Sequence, residues 1–244
     1  YYLSRKFEPF LREQTIAYLE HRFRAKVQLA ELKVRMPLNS PLDLVFHKGK
    51  GLKVRVNGGA LDIRLLSLPQ APSLLKMRKF SFQVDWDSLL EQKAVVSHVN
   101  LDGFEVTVPP KQDRPKVAGS LKEEPNDETD TGPKVPVVIE EVNASDSTLT
   151  ILPKTAAKDP LVFRIHQLRL LTAGPGAPMK YEAQLTNAKP PGLIHCQGTF
   201  GPWVAEGPSD TPLTGRYTFE KADLGVFKGI AGTLASTGDF HGTL

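Results

Sequence analysis

The chain has 244 residues, 40% of them hydrophobic and 24% charged, a balance typical of a folded chain that is large enough to bury a core. Its single cysteine, Cys196, excludes an internal disulfide and a cysteine-rich metal cluster. The net charge is +4, and no apolar run in these residues is long enough to form a membrane-spanning helix.

The first 23 residues predict an amphipathic helix. Apolar side chains recur there at three- and four-residue spacing, at Phe7, Phe10, Leu11, Tyr18 and Leu19. Pro9 fits only a first turn, so the helix is predicted to begin near Glu8. Because the chain opens with Tyr1 rather than methionine, we expect a signal or an anchor to precede it.

From residue 24 to residue 108 the helical period gives way to the alternation of strands. The first strand slips by one position between Leu29 and Leu32, which predicts a bulge or a break. Two alternating runs flank residues 57–59, Asn-Gly-Gly, and predict a hairpin with its turn there. Two further strands are predicted to separate at residues 102–103, Asp-Gly.

The clearest strand spans residues 79–86, where apolar and polar side chains alternate strictly. Its apolar face must meet a second sheet, a helix or an apolar ligand, and the pattern leaves these cases open. If the ligand is a lipid, the candidate lipid-facing side chains are Phe80, Phe82, Val84 and Trp86. The alternative is that they are plain core beneath another layer.

Residues 109–134 have almost no apolar content and are predicted to be a disordered acidic and proline-rich linker. Alternating segments return from residue 135 to residue 244, and the last of them stops in mid-pattern. We therefore expect this second β region to be truncated at its C-terminal end. Helical patterns after residue 25 are limited to residues 74–78, a corner at Leu89 and residues 222–227.

Four regions are thus predicted: a membrane-proximal helix at 1–23, a β region at 24–108, the linker at 109–134 and a second β region at 135–244. Strands follow one another with hardly any crossover helices, which favours antiparallel pairing. The predicted fold is mainly β, a curved antiparallel sheet that is either an open groove or sandwich-like.

No arrangement of residues typical of catalysis, cofactor binding or metal binding is found. The six histidines lack metal-ligand spacing, and His195 and Cys196 are strand neighbours that should point to opposite faces, so Cys196 is interpreted as core. Residues 49–51, Gly-Lys-Gly, lack the frame of a phosphate loop. Lysines and aromatics occupy opposite faces of the clearest strand, which disfavours nucleic-acid binding. We predict a protein that is not an enzyme, with no cofactor, no metal and no nucleic-acid partner.

Three segments resemble the N-terminal region of AsmA-family proteins. They are the N-terminal stretch 1–23, the strand-corner-strand unit 80–108 around Leu101-Asp102-Gly103-Phe104, and the glycine-rich segment 222–244. The resemblance implies a periplasmic protein that a missing N-terminal helix anchors to the inner membrane. It also implies a role in outer-membrane biogenesis and phospholipid transport along an apolar β-lined groove, and it carries over no catalytic residue.

Two functions therefore remain as expectations. The first is AsmA-like transfer of phospholipid or another acyl-chain lipid. The second is a β-sandwich module that binds protein or polysaccharide at the cell envelope, for which Trp203, beside the turn Gly201-Pro202, should matter.

Overall fold

A computed structural model of the protein describes most of the chain. The described residues are 8–9, 12–17, 19–20, 25–35, 53–66, 72–85, 94–110, 137–155, 158–172, 177–202, 204 and 210–243. They form a short N-terminal helix, a 3-10 turn and one open sheet of ten strands.

The helix is described at residues 8, 9, 12–17, 19 and 20, and a 3-10 helix spans Leu224–Val226. The strands are β1 (Ala25–Arg35), β2 (Lys53–Leu65), β3 (Leu75–Asp85), β4 (Ala94–Val108), β5 (Val137–Ile151), β6 (Leu161–Thr172), β7 (Met179–Thr186), β8 (Leu193–Phe200), β9 (Pro212–Asp223) and β10 (Thr233–Thr243).

The strands lie in the sheet in the order in which they occur in the chain. Every neighbouring pair is antiparallel except β4 and β5, which run parallel from Ala94 opposite Val137 to Val108 opposite Ile151. The mainly β fold is confirmed, but the sheet is mixed rather than wholly antiparallel. β5 begins beside the first residue of β4 rather than beside its last, so the two strands run in the same direction. Apart from residues 109 and 110, the predicted linker lies outside the described residues.

Six neighbouring strands share one irregular row that crosses the sheet. At one residue in each of these strands the backbone pairing with the neighbouring strand is interrupted: Ala30, Ala60, Arg78, Gly103, Asp146 and His166. Three of them have positive φ angles, 51° at Ala60, 64° at Gly103 and 47° at Asp146. A residue in this conformation interrupts the pleat, so the alternation of side chains moves by one position.

The sequence compensates for this shift, because the apolar pattern of each of the six strands moves by one at the same row. In β2 the pattern runs Val54, Val56 and Gly58 before the row and Leu61 and Ile63 after it. The slip predicted between Leu29 and Leu32 in β1 lies at this row. The consequence is that one face of the sheet stays apolar on both sides of the row.

Three local predictions were wrong. Residues 57–59 form no hairpin turn, because β2 runs straight through them, and β4 likewise runs through residues 102–103. Gly103 has a positive φ, which favours the same residue types as a turn does, whereas the space at Gly58 is taken by the Phe80 ring. Neither requirement can be told apart from a turn by composition. Residues 74–78 enter β3 rather than a helix, and within 222–227 only the 3-10 helix forms.

The helix packs on the apolar face at one end of the sheet. Ile16 and Leu19 contact a small buried cluster of Ala25, Val27 and Ile63. Three polar helix side chains also bond to the outer backbone of β1. The Glu20 carboxylate accepts from the Val27 N–H at 3.2 Å, the Glu8 carboxylate accepts from the Val34 N–H at 3.3 Å, and the Arg12 guanidinium donates to the Ala30 carbonyl at 3.2 Å.

Candidate functional site

An uninterrupted apolar surface crosses all ten strands on one face of the sheet. Two register rows carry it, because paired residues of neighbouring strands project from the same face. The first apolar row is Val34, Val56, Phe82, Val99, Val142, Leu170, Tyr181, Gly198, Gly215 and Phe240. The second apolar row is Leu32, Gly58, Phe80, Leu101, Ala144, Leu168, Ala183, Cys196, Tyr217 and Gly238.

Two of the four candidate lipid-facing residues, Phe80 and Phe82, lie in these rows. Phe80 and Phe82 belong to β3 and are half-buried, with ring centroids 6.4 Å apart and planes tilted by 8°. Val84, also half-buried, follows them in the same strand. Trp86 lies outside the described residues. The structure thus places three of the four predicted residues in one half-buried strand.

Glycines shape the far end of this face by making room for an aromatic ring. A side chain on Gly215 would collide with the Tyr181 hydroxyl and with the Phe240 ring. Tyr181 is only 7% exposed, and its hydroxyl donates to the Thr214 carbonyl at 3.2 Å. Burial raises the pKa of the Tyr181 phenol to about 12.

The opposite face is polar across the same ten strands. The first polar row is Lys33, Asn57, Ser81, Asn100, Asn143, Arg169, Glu182, Gln197, Arg216 and Asp239. The second polar row is Glu31, Gly59, Lys79, Asp102, Ser145, Gln167, Gln184, His195, Thr218 and Thr237.

A groove of about 1270 Å³ runs across the sheet between the two polar rows. Its lining includes both polar rows in every strand from β1 to β9 and, from β2 to β9, the second apolar row that runs between them, whereas the first apolar row is absent from it. Residues between the two polar rows project to the other face, so they line the groove with their backbone. This distribution places the cavity, called the polar groove below, on the polar face. The polar groove and the apolar surface therefore lie on opposite faces of the sheet.

Ion pairs connect neighbouring strands on the polar face, both at the irregular row and next to it. The Arg78 guanidinium donates two hydrogen bonds to Asp102, at 2.6 and 3.0 Å, and holds the pKa of that carboxyl below its usual range. The carboxylate of Glu141 on β5 also accepts a hydrogen bond from an arginine. It accepts from Arg169 of β6 at 2.7 Å, which lowers the pKa of its carboxyl, and it lies 3.0 Å from the Nδ1 atom of His98 on β4.

The β1 and β2 end of the groove carries unbalanced positive charge. Arg35 of β1 lies directly opposite Arg55 of β2, and both line the groove. No described carboxylate forms an ion pair with either guanidinium. The Arg55 guanidinium donates instead to the side-chain oxygen of Gln83 on β3, at 2.9 and 3.3 Å, a neutral partner that leaves its charge uncompensated. Like charges directly opposite each other in a sheet are destabilising.

His195 and Cys196 behave as their alternation predicts. His195 is exposed on the polar face and lines the groove, whereas Cys196 is half-buried in the second apolar row, where burial raises the pKa of its thiol. Within the described part of the chain, no three His, Cys, Asp or Glu side chains are placed to hold a metal ion. No described helix is long and apolar enough to span a membrane.

No protein-family model matches the chain, and no curated protein matches it. The function therefore has to be argued from the two faces themselves.

The sequence reasoning missed the polar groove. Its residues were visible only as the polar half of each alternating strand, and nothing in a single strand shows which polar residues of different strands lie together. The one available signal was the recurrence of Asn and Gln at these polar positions, and it becomes a site only once the register is known.

Proposed function

We propose that this chain is a non-enzymatic, AsmA-like envelope protein that binds the acyl chains of phospholipids on the apolar face of its sheet. The observation that supports this proposal is the pair of apolar rows, which cross ten strands without a charged residue. In the described part of the chain only the helix packs on this face, and it covers only the β1 end.

Acyl chains suit such a surface because they need no specific polar partner. Each methylene removed from water contributes about 0.8 kcal/mol, so a chain lying along several strands gains affinity from contact alone. The rows also offer the same chemistry at each strand. A chain could therefore shift from one strand to the next without crossing a polar barrier, which is what transfer of a lipid towards the outer membrane requires.

The proposal includes the setting that the resemblance implies, with an inner-membrane anchor before the chain and the sheet in the periplasm. The alternative, a β-sandwich binding module, needs two sheets that seal a core between them. The described strands form one open sheet instead. Trp203, the residue on which that alternative depended, lies outside the described residues.

The test is to purify the chain and identify bound lipid by native mass spectrometry and by solvent extraction. We expect phospholipid to copurify with the wild type. Leu170→Asp places a carboxylate in the first apolar row and should reduce the bound lipid by about tenfold, a cost of about 1.4 kcal/mol.

The matched control is Val162→Asp on the same strand. Val162 is 40% exposed and pairs with Thr150 on the polar side of β5, so its substitution should leave the bound lipid unchanged. A folded wild type that carries no lipid, or an equal loss in the two variants, would overturn the proposal.

A further inference from the structure

We infer that the polar groove is a second binding site, and that its ligand is a linear acidic polysaccharide with an anionic group on Arg35 and Arg55. The polar groove lies on the face opposite the apolar rows, so binding in it does not depend on lipid binding to those rows.

The shape of the groove indicates an extended ligand. It is lined on nine consecutive strands, and with a strand spacing of about 4.8 Å it is about 38 Å long. A small molecule would fill only a fraction of this length. A linear polymer that crosses the strands would contact every one of them.

The lining indicates a ligand that is rich in hydroxyl groups and anionic. Four of the seven Lys and Arg side chains in the lining already pair with carboxylates, and those without a described carboxylate partner are Lys79, Arg35 and Arg55. Between the charges lie amides and hydroxyls that can both donate and accept hydrogen bonds, as sugar hydroxyls do: Asn57, Asn100, Asn143, Gln167, Gln184 and Gln197.

Arg35 and Arg55 fix where the negative charge should lie. The two residues lie directly opposite each other with like charges, and a carboxylate, sulfate or phosphate bound between them would replace that unfavourable pairing with two charge-assisted contacts. This end of the groove therefore prefers an acidic unit of the polymer.

Two other polymers fit the groove less well. Nucleic acid needs aromatic side chains on which its bases can stack, and the aromatic residues of the lining, Phe80 and Tyr217, belong to the second apolar row on the other face. An acidic peptide is bound most efficiently by backbone pairing at a sheet edge, which the middle of a face does not offer.

Isothermal titration with oligogalacturonate, a linear sugar polymer with one carboxylate per unit, tests the inference. We expect binding that weakens as salt is added and that exceeds the binding of neutral galactan oligomers. Arg35→Gln with Arg55→Gln should lower the affinity for oligogalacturonate by about tenfold or more, because two charge-assisted contacts are lost.

The control variant is Arg164→Gln, which removes an exposed guanidinium from the same face but outside the groove. It should leave the affinity unchanged. Gln184→Ala, on β7 and therefore far along the groove from the two arginines, should lower the affinity by about threefold if the ligand extends along it. Leu170→Asp should not change oligogalacturonate binding, which separates this site from the lipid face.

The inference is overturned if oligogalacturonate does not bind, if galactan binds as tightly, or if Arg164→Gln loses as much affinity as the double variant. Unchanged binding by Gln184→Ala also overturns it, because the ligand would not extend along the groove. Tighter binding of oligoglutamate or oligothymidylate than of oligogalacturonate would overturn the assignment of the ligand class.

Discussion

Gly58, in the second apolar row, lies directly opposite Phe80 of β3. A side chain built there would collide with the ring of Phe80, which leans over this position from β3. Gly58→Ala should therefore lower the free energy of unfolding by about 1–3 kcal/mol, because overpacking displaces the ring.

A double-mutant cycle in urea can isolate the cause of that loss. In the Phe80→Leu background the same substitution should cost clearly less, because the smaller side chain leaves room for the new methyl group. Costs that simply add in the double variant would show that Phe80 is not the obstacle.

Tyr181 links the stability of the sheet to alkaline pH. Its folded-state pKa of about 12 lies above the value of about 10 for an unfolded tyrosine. The protonated phenol therefore stabilises the folded state fully below pH 10, and this contribution is lost as the pH rises towards 12. Tyr181→Phe should cost about 1 kcal/mol at neutral pH through the lost bond to the Thr214 carbonyl.

The measurement for Tyr181 is the melting temperature of the two proteins across this alkaline range. Other groups titrate between pH 10 and pH 12 in both proteins, so only the difference between the two melting temperatures is informative. That difference should shrink as the pH rises from 10 to 12. A constant difference would contradict the raised pKa of Tyr181.

At the scale of the elements, the irregular row depends on residues that can adopt a positive φ. Gly103, with φ of 64°, would bring a new side chain against Arg78, so Gly103→Ala should lower the free energy of unfolding by about 1–2 kcal/mol or more. Gly242→Ala is the matched control, since open space surrounds that glycine. Equal costs in chemical denaturation would mean that backbone conformation at Gly103 is unimportant.

The bonds from the helix to β1 protect one edge of the sheet. Edge strands present unpaired backbone groups that favour association with other chains, and Glu8 and Glu20 occupy two of these groups in β1. The double variant Glu8→Ala and Glu20→Ala should aggregate faster, with a rate that rises with concentration, when it is followed by light scattering. Glu13→Ala, an exposed helix substitution, should not, and equal behaviour would contradict the protective role.

Element by element, the sequence supports some predictions and not others for physical reasons. Alternation in β3, β7 and β8 identifies strands because each buries one face only, and the helical period identifies the N-terminal helix. The turn predicted at Gly58 failed because a glycine needed to admit the Phe80 ring has the same composition as a hairpin turn. The polar groove could not be predicted at all, since it depends on register between strands that are far apart in the chain.

At the scale of the whole molecule, the sheet consists of two meanders joined by the parallel pairing of β4 and β5. Each meander pairs strands that are consecutive in the chain, and the junction extends from Ala94 opposite Val137 to Val108 opposite Ile151. Further bonds between side chains link β4, β5 and β6 through Glu141.

A protease site inserted at residue 125 tests how strongly this junction holds. After cleavage we expect the two halves to elute together in size-exclusion chromatography and to separate only in denaturant, because the junction needs no covalent link. Two separate peaks under native conditions would show that the connection itself holds the halves together.

The protected β1 edge also limits how copies of this chain could associate. Helix side chains bond to two N–H groups and one carbonyl on the outer edge of β1, so a second copy would have to displace them before its backbone could pair with this strand. The helix thereby acts as a barrier to edge-to-edge association at β1.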